Sequence, residues 1–543
     1  MRYNPVAFTG LYLIFPILQK ACTVMRSLLL LLLLFLLSRG AWAQKEAMHW
    51  YFGNRAGLDF SSGAAVPLLD GALVTESAAT VISDKETGDL LFYTNGRNIW
   101  NKEHRLMPGS NEFEENCPSA ISQPSLIVPV PGNGHRYYVF SIHFSPPADE
   151  HNCDFGYIVD AIEPEYSCEL RYSLVDMRLD GGRGDMVPDQ KNILLQQSIT
   201  EKMTAIPHSN GRDYWLLTHA WNSDAFYIRL VTADGISEPD IQHIGSTHES
   251  KVYAGKADNS EIRGMMKAAP NGKKLACAVD ANQERPFDLF DFNPASGQLS
   301  NYVNLGYLEA QYGLSFSPDN SKLYVSCQSP ARTVAKDVIR QYDLARDSEE
   351  AVIASGQSII QGNPDTNIPS SALGTGYYDL QIGPDGRIYG TSYHVYNEPN
   401  EPQAHTMLVI ERPNEPGYSC EVNFKSFDFG SGNVALGLPN FIQSYFNGLE
   451  PVVQEPETCI PAVELYPNPT NSTVQVNLKG ECVQDLRLQV INAVGQQVID
   501  CIRIDQSDAK ISLSGLADGL YLLVFTTPQG KVVKRVVKLQ IPN

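Results

Sequence analysis

The chain has 543 residues with 41 Gly and 34 Pro, 19% charged and 10% aromatic residues, and a formal net charge of −20. That length exceeds what one ordinary core takes and points to two domains, while frequent Gly and Pro favour short strands and tight turns over long helices. Residues 1–43 carry +4 and residues 459–543 carry +1, which leaves −25 on the stretch between them; so acidic a surface repels phosphate backbones and excludes nucleic acid as a partner.

The first 43 residues read as a targeting signal. Arg26 precedes the apolar run SLLLLLLLFLLS, and Ala41-Trp42-Ala43 forms an A-x-A site, so cleavage is expected between Ala43 and Gln44. The run is short for a membrane anchor. A second apolar stretch, FTGLYLIFPILQ, lies upstream of Met25-Arg26, and translation is expected to start at Met25. Loss of Cys22 with the signal leaves nine of the ten cysteines, an odd number. Export permits disulfides, and Cys153 with Cys168, flanking an acidic loop, is the best-placed pair. Cys277 and Cys327 occupy apolar strand positions suited to buried thiols, and the absence of any CxxC pair leaves a zinc ribbon unsupported.

From residue 83 onward one short pattern recurs: a turn of Pro, Asn, Asp or Gly, a basic or polar residue, then an apolar and aromatic strand. Its clearest copies are APNGKKLACAV at 269, SPDNSKLYVSC at 317 and GPDGRIYGTSY at 383, with looser ones at 83, 130 and 207. Proline presets one turn torsion and Gly or Asn accepts the positive one, so each copy predicts a hairpin. A second strand pair follows each, as in FDLFDFNPASGQLSNYV, making a four-stranded unit. Units of this kind, repeated at uneven spacing, predict a β-propeller in which each small sheet packs on its neighbours. The opening WYFGNRAGLDFSSGAAVPL reads as the second half of a unit and LGLPNFIQSYF near 440 as a first half, so the ends are expected to share one blade. Six internal units and this composite give seven.

The stretches WYFGNRAGLDFSSG, ISDKETGDLLFYTNGRNIWNKEHRLMPG and LPNFIQSYF resemble a propeller module of secreted surface proteins of Bacteroidota, over residues 48–447. That resemblance implies fold and location and supplies no catalytic residue.

A Pro- and Glu-rich linker over 448–460 leads to residues 461–543, where VELYPNPTNSTVQVNL, LRLQVINAVGQQVI and GLADGLYLLVFTTPQGKVVKRVVKLQ alternate apolar and polar residues between turns. They predict a small β-sandwich of about seven strands. The fold expected for the whole chain is therefore all-β, a seven-bladed propeller followed by a small C-terminal sandwich. The tail resembles the type A C-terminal sorting domain of the type IX secretion system. The matching positions are Tyr466, Pro467, Asn468 and Pro469 of the YPNPT run, Asn492, Gly495 and Gln496 of an N-x-x-G-Q turn, and Asp518, Gly519 and Tyr521 of a D-G-x-Y element. By that resemblance the partners are an outer-membrane translocon and a sortase-like protease, with transfer to anionic lipopolysaccharide after processing. Lys531, Lys534, Arg535 and Lys538 on the acid-free last strand could meet an acidic translocon surface; guarding an exposed sheet edge against aggregation accounts for them equally well.

Motifs for catalysis are missing: no G-x-S-x-G, H-E-x-x-H, P-loop or G-x-G-x-x-G is found. His243, His248 and Glu249 fit no common metal spacing. The acidic DEHNCD and EPEYSCE stretches lack the regular spacing of a calcium loop, so no cofactor is expected and calcium stays a minority reading. Arg183-Gly184-Asp185 spells an integrin tripeptide that any Gly-rich turn can produce. Among the tryptophans, Trp215 is expected in the core, and Trp221, near a strand end, is the one candidate for stacking against a ligand. A binding protein for a glycan or a protein partner is the leading reading. A hydrolase or lyase of extracellular polymer working at the channel, and a structural part of a surface or gliding assembly, are the alternatives.

Overall fold

The structure is a computed structural model and describes residues 45–110, 121–145, 167–253, 256–281, 283–327, 339–360, 376–393, 405–451, 462–479, 486–493, 496–504, 508–527 and 530–540. The chain divides into two compact units, residues 1–452 and 453–543. Both are built almost wholly from antiparallel strands, and among the described residues no helix is long and apolar enough to cross a membrane.

In the first unit the expected hairpins form and share one closure. Within each, the residue before the turn bonds across it to the residue that resumes the strand, as in Ala269 N–H to Lys274 carbonyl, Ser317 to Lys322 and Gly383 to Arg387. The left-handed position falls on Gly88, Gly132, Gly211, Gly272, Asn320 and Gly386, residues that adopt it cheaply. Strands then meander outward. Met266–Ala268, Lys274–Cys277, Arg285–Asn293 and Gln298–Leu308 form one four-stranded sheet, and equivalent sheets begin at Gln311–Phe316 and Gly376–Ile382. Thr80–Ser83 opens a three-stranded sheet. The second and third blades are fused, because Ile193–Pro207 pairs on its early part with Ser167–Asp176 and on its later part with Tyr214–Ala220. Its register shifts between Ile199 and Met203, so one strand serves as the outer edge of one blade and the inner edge of the next.

The first strands of successive sheets pack side by side around an axis. The ring closes through the ends of the unit. His49–Phe52, Ala56–Asp59 and Val66–Leu68 form a sheet, and the segment 433–442 supplies its inner side. Asn54 exchanges backbone bonds with Asn433 at 3.0 and 2.9 Å, Leu436 N–H donates to Glu76, and Asn440 N–H to Ala79. Gly437 sits so close that a Cβ there would lie 2.1 Å from Ala78 N. Trp50, fully buried, touches Phe60, Tyr389 and Phe441, cementing this seventh blade to the sixth. The seven-bladed propeller expected from the repeats is the observed architecture of this unit.

Because neighbouring strands run in opposite directions, first-to-second turns all lie on one face. Second-to-third turns and the connections between blades lie on the other, here termed the upper face.

The second unit has two facing sheets. One contains Ala462–Tyr466, Thr473–Lys479 and Asp508–Ser512; the other has the order Gln497–Ile504, Leu486–Asn492, Gly519–Thr527, Gly530–Lys538. Alternating residues such as Val474, Val476, Leu488, Val490, Leu523, Phe525 and Val536 fill the space between them.

Candidate functional site

The propeller axis is filled by side chains. Lys267, 1% exposed, donates to Asp379 Oδ1 at 3.0 Å, to the Leu380 carbonyl at 2.7 Å and to Gln381 Oε1 at 3.1 Å. Asp379 Oδ2 in turn accepts the N–H of Leu438 at 2.9 Å, so the fourth blade, the sixth and the closing segment meet in one buried ion pair. Burial pushes the Lys267 ammonium below its ordinary range, and Asp379 partly offsets this. Gln123 accepts from Met203 and Met266 N–H and donates to the Met266 carbonyl, while Gln443 reaches Gln381. Toward the upper face Met265, Ala78 and Tyr312 pack together, with Tyr378 edge-on to Tyr312.

A second polar cluster lies along the upper ends of the third and fourth blades. Glu201 accepts the N–H and hydroxyl of Ser122 at 2.7 and 2.6 Å. Glu261 accepts the Glu249 N–H and faces Arg285 at 3.1 Å, and Asp280 faces Arg263 at 3.1 Å. Burial raises the proton affinity of all three carboxylates. Lys202, buried and pushed down to about 8, donates to the carbonyls of Glu261, Ile262 and Arg263 and so clamps the connection between the two blades. His219 and His248 stack with ring centroids 3.8 Å apart, and burial holds both uncharged, His219 at about 3. Among the described residues the ring nitrogens of His248 and the amide of Asn259 have no hydrogen-bond partner; buried atoms of this kind are ordinarily served by ordered water. Each carboxylate of the cluster is thus held by a donor of the fold itself.

Asp288 ties the third blade to the fourth. It accepts from Ser246 N–H and hydroxyl and from Tyr302 at 3.0 Å, yet burial pushes it up to about 6. A carboxyl with a raised folded-state pKa binds its proton better folded than unfolded, so its contribution to stability falls as pH rises through that window and is level above it. Asp288→Asn removes this dependence. Its stability relative to the parent is expected to grow by about 2 kcal/mol between about pH 4 and about pH 7.5, measured by urea unfolding; a constant difference would contradict the assignment.

The other sequence candidates in this unit are not gathered into a site. Trp221, the proposed stacking residue, is 6% exposed and packs in the core, where its backbone N–H donates to the carbonyl of Ser198 in the early part of the neighbouring strand Ile193–Pro207. Trp215, expected in the core, is half-buried and bonds the Pro294 carbonyl. His243 and His248 share a strand, with His243 outside against Asp224 at 2.7 Å and His248 inside, so they do not converge. Arg183 pairs with Asp180, and Asp185 accepts the N–H of Gly109. Cys168 is a buried free thiol; Cys153 and most of the acidic loop lie outside the described residues. Cys277 and Cys327 are buried free thiols.

In the second unit the sequence motifs do converge. The cross-strand register aligns Asn492 with Tyr521 and Tyr521 with Val536. Asn468 completes the row from the far side of the last strand, its amide donating to the Arg535 carbonyl and accepting the Val537 N–H, both at 2.9 Å. Thr470 continues the pairing through Val537 and Leu539. Asn492 closes its turn against Gln496, Tyr521 hydroxyl caps the Ala517 carbonyl, and Asp518 meets Lys538 at 3.1 Å. Residues 464–539 match the family of secretion system C-terminal sorting domains. A sorting domain of this family indicates export by type IX secretion, to the cell surface or the extracellular space, and with it an encounter with that machinery.

Within the sorting domain the basic residues divide. Lys534 and Arg535 are exposed, whereas Lys538 is 7% exposed and spent on Asp518, which corrects the expectation of four equivalent cations. Tyr466, Pro467 and Pro469 are exposed. Gly495, the side chain of Lys531, and the Ala43–Gln44 cleavage site lie outside the described residues. No curated protein matches the chain. Solved structures similar to it include a protein from Lactobacillus plantarum, at 11% identity and TM-score 0.33 over 80% of this chain and 98% of that one. A periplasmic gluconolactonase from Pseudomonas aeruginosa is similar at 11% identity and TM-score 0.32, over 72% and 89%. A functionally unknown protein from Desulfotomaculum acetoxidans gives 10% and 0.33, over 72% and 98%. At these scores nothing about activity passes to this chain.

Proposed function

We propose that this is an exported binding protein of Bacteroidota type, released from its signal segment at Ala43–Gln44, delivered by its sorting domain and left at the cell surface or outside the cell, where the propeller holds a glycan or a protein partner. The observation that carries binding over catalysis is the packed axis. Lys267, Asp379 and the glutamines occupy the place where a channel enzyme would gather its carboxylates. The upper face, built from the connections between blades, is the surface left for recognition. Processing by a sortase-like protease and attachment to anionic lipopolysaccharide complete the reading.

The test is the melting temperature of the secreted protein against polysaccharides, surface extracts and calcium. A ligand at about 100 times its Kd adds roughly 2.7 kcal/mol, a visible shift. A shift with one ligand class supports the proposal. Shortening of a polysaccharide during incubation would replace it with the hydrolase or lyase reading, and copurification of fixed partners with no ligand shift would replace it with an assembly role.

A further inference from the structure

A cleft of about 490 Å³ opens on the upper face where the seventh blade closes, between the turn at 53–55, the connection after Val66–Leu68 and the glycine-rich run 430–432. Its lining contains one charged residue, Arg55, and no acid. The rest is Leu69, 66% exposed, the buried Phe429 ring, the Ser431 hydroxyl and glycine or alanine backbone. The guanidinium of Arg55 is exposed and makes no hydrogen bond or ion pair among the described residues. The net acidity of the unit opposes the approach of an anion, so a place for one is confined to the short range of a cation that no acid of the lining neutralises.

The backbone adds a second observation. Arg55 has φ 56, in the left-handed region. Its conformation is imposed from both sides, by Asn54 bonding to Asn433 and by the Arg55 N–H bonding to the Leu73 carbonyl at 2.8 Å. Glycine would take this turn without strain, as it does at Gly53 two residues earlier. A long charged side chain kept in a strained position points to use of that side chain.

We propose that this cleft binds the carboxylate of an acidic sugar, a uronate residue of an extracellular polysaccharide. The planar guanidinium offers paired donors that match a carboxylate. Ser431 and the exposed backbone at Gly430 suit ring hydroxyls, and Leu69 offers an apolar surface to the sugar ring. The volume lies in the range of small-molecule sites. The assignment deepens the binding reading above and rests on it.

Calorimetric titration of the full secreted protein with tetragalacturonate and with neutral tetragalactose tests the site. The expected result is at least about tenfold tighter binding of the acidic oligomer, weakening as salt is added, and loss of at least about tenfold in Arg55→Met. Arg55→Gly serves as the folding control, because relief of the strained turn is expected to keep or raise the Tm while binding is lost. Equal affinity for both oligomers, no binding of the acidic one by the parent protein, or binding indifferent to both substitutions overturns the site. Each of those results leaves the broader binding reading to its own melting-temperature experiment, in which a different ligand class would still register.

Discussion

Lys267→Met is expected to lower the stability of the propeller by about 3–5 kcal/mol, the cost of leaving one partner of a buried ion pair without its counterpart. Asp379, at 2% side-chain exposure, would be left with only the backbone donors of Leu380 and Leu438. Asp379→Ala should cost a similar amount by a different route, stranding the ammonium and freeing the Leu438 N–H, so that the closing segment loses a tie to the sixth blade. Replacing both residues together, as Lys267→Met with Asp379→Leu, is expected to return part of the loss, because two apolar groups leave nothing unpaired. Urea unfolding with an unchanged m-value measures all three. A single-variant loss below about 1 kcal/mol would show that water reaches the axis and serves these groups in place of each other.

Deletion of residues 464–539 is expected to abolish surface delivery while the propeller stays folded, read by protease accessibility on whole cells and by melting of the recovered protein. Smaller changes separate folding of the sorting domain from recognition of it. Asn468→Ala removes two backbone-directed bonds that hold the YPNPT run on the last strand, and should cost about 1–3 kcal/mol of domain stability. Lys538→Gln breaks the contact of a buried lysine with the half-exposed Asp518 and should lower domain stability in the same direction. Lys534→Gln with Arg535→Gln touches exposed side chains and should leave the stability of the domain within about 1 kcal/mol of the parent. If delivery falls only in that last variant, the cations are read by the translocon; if delivery is normal, their role is to guard the strand edge.

The turn chemistry carried most of the fold into view. Proline, aspartate and glycine at fixed offsets mark where a chain must reverse, and the six hairpins follow that pattern down to the left-handed Asn320. The shared blade was legible because its two halves keep the repeat's own vocabulary. Trp221 was misread because exposure at a strand end depends on the neighbouring strand, here Ile193–Pro207, which local pattern does not encode. Lys538 was misread for a related reason: alternation along Gly530–Lys538 places it, but its partner Asp518 comes from the turn before the neighbouring strand Gly519–Thr527. The Arg55 cleft left no mark in the sequence, since it arises only when residues 53–55 and 430–432, nearly the whole unit apart, are brought together.

The composite seventh blade also imposes an order in time. Residues 433–442 leave the ribosome after every other strand of the ring, so each shorter nascent chain is an open arc with its first and last sheets uncovered. Such edges recruit stray strands, and the arc must be shielded or kept unfolded until its final segment arrives. A permutant that begins at the 208–213 turn and joins the two ends, whose short helical turns Lys45–Ala47 and Gln443–Phe446 already touch, would make the clasp early and move that vulnerable interval to another pair of strands.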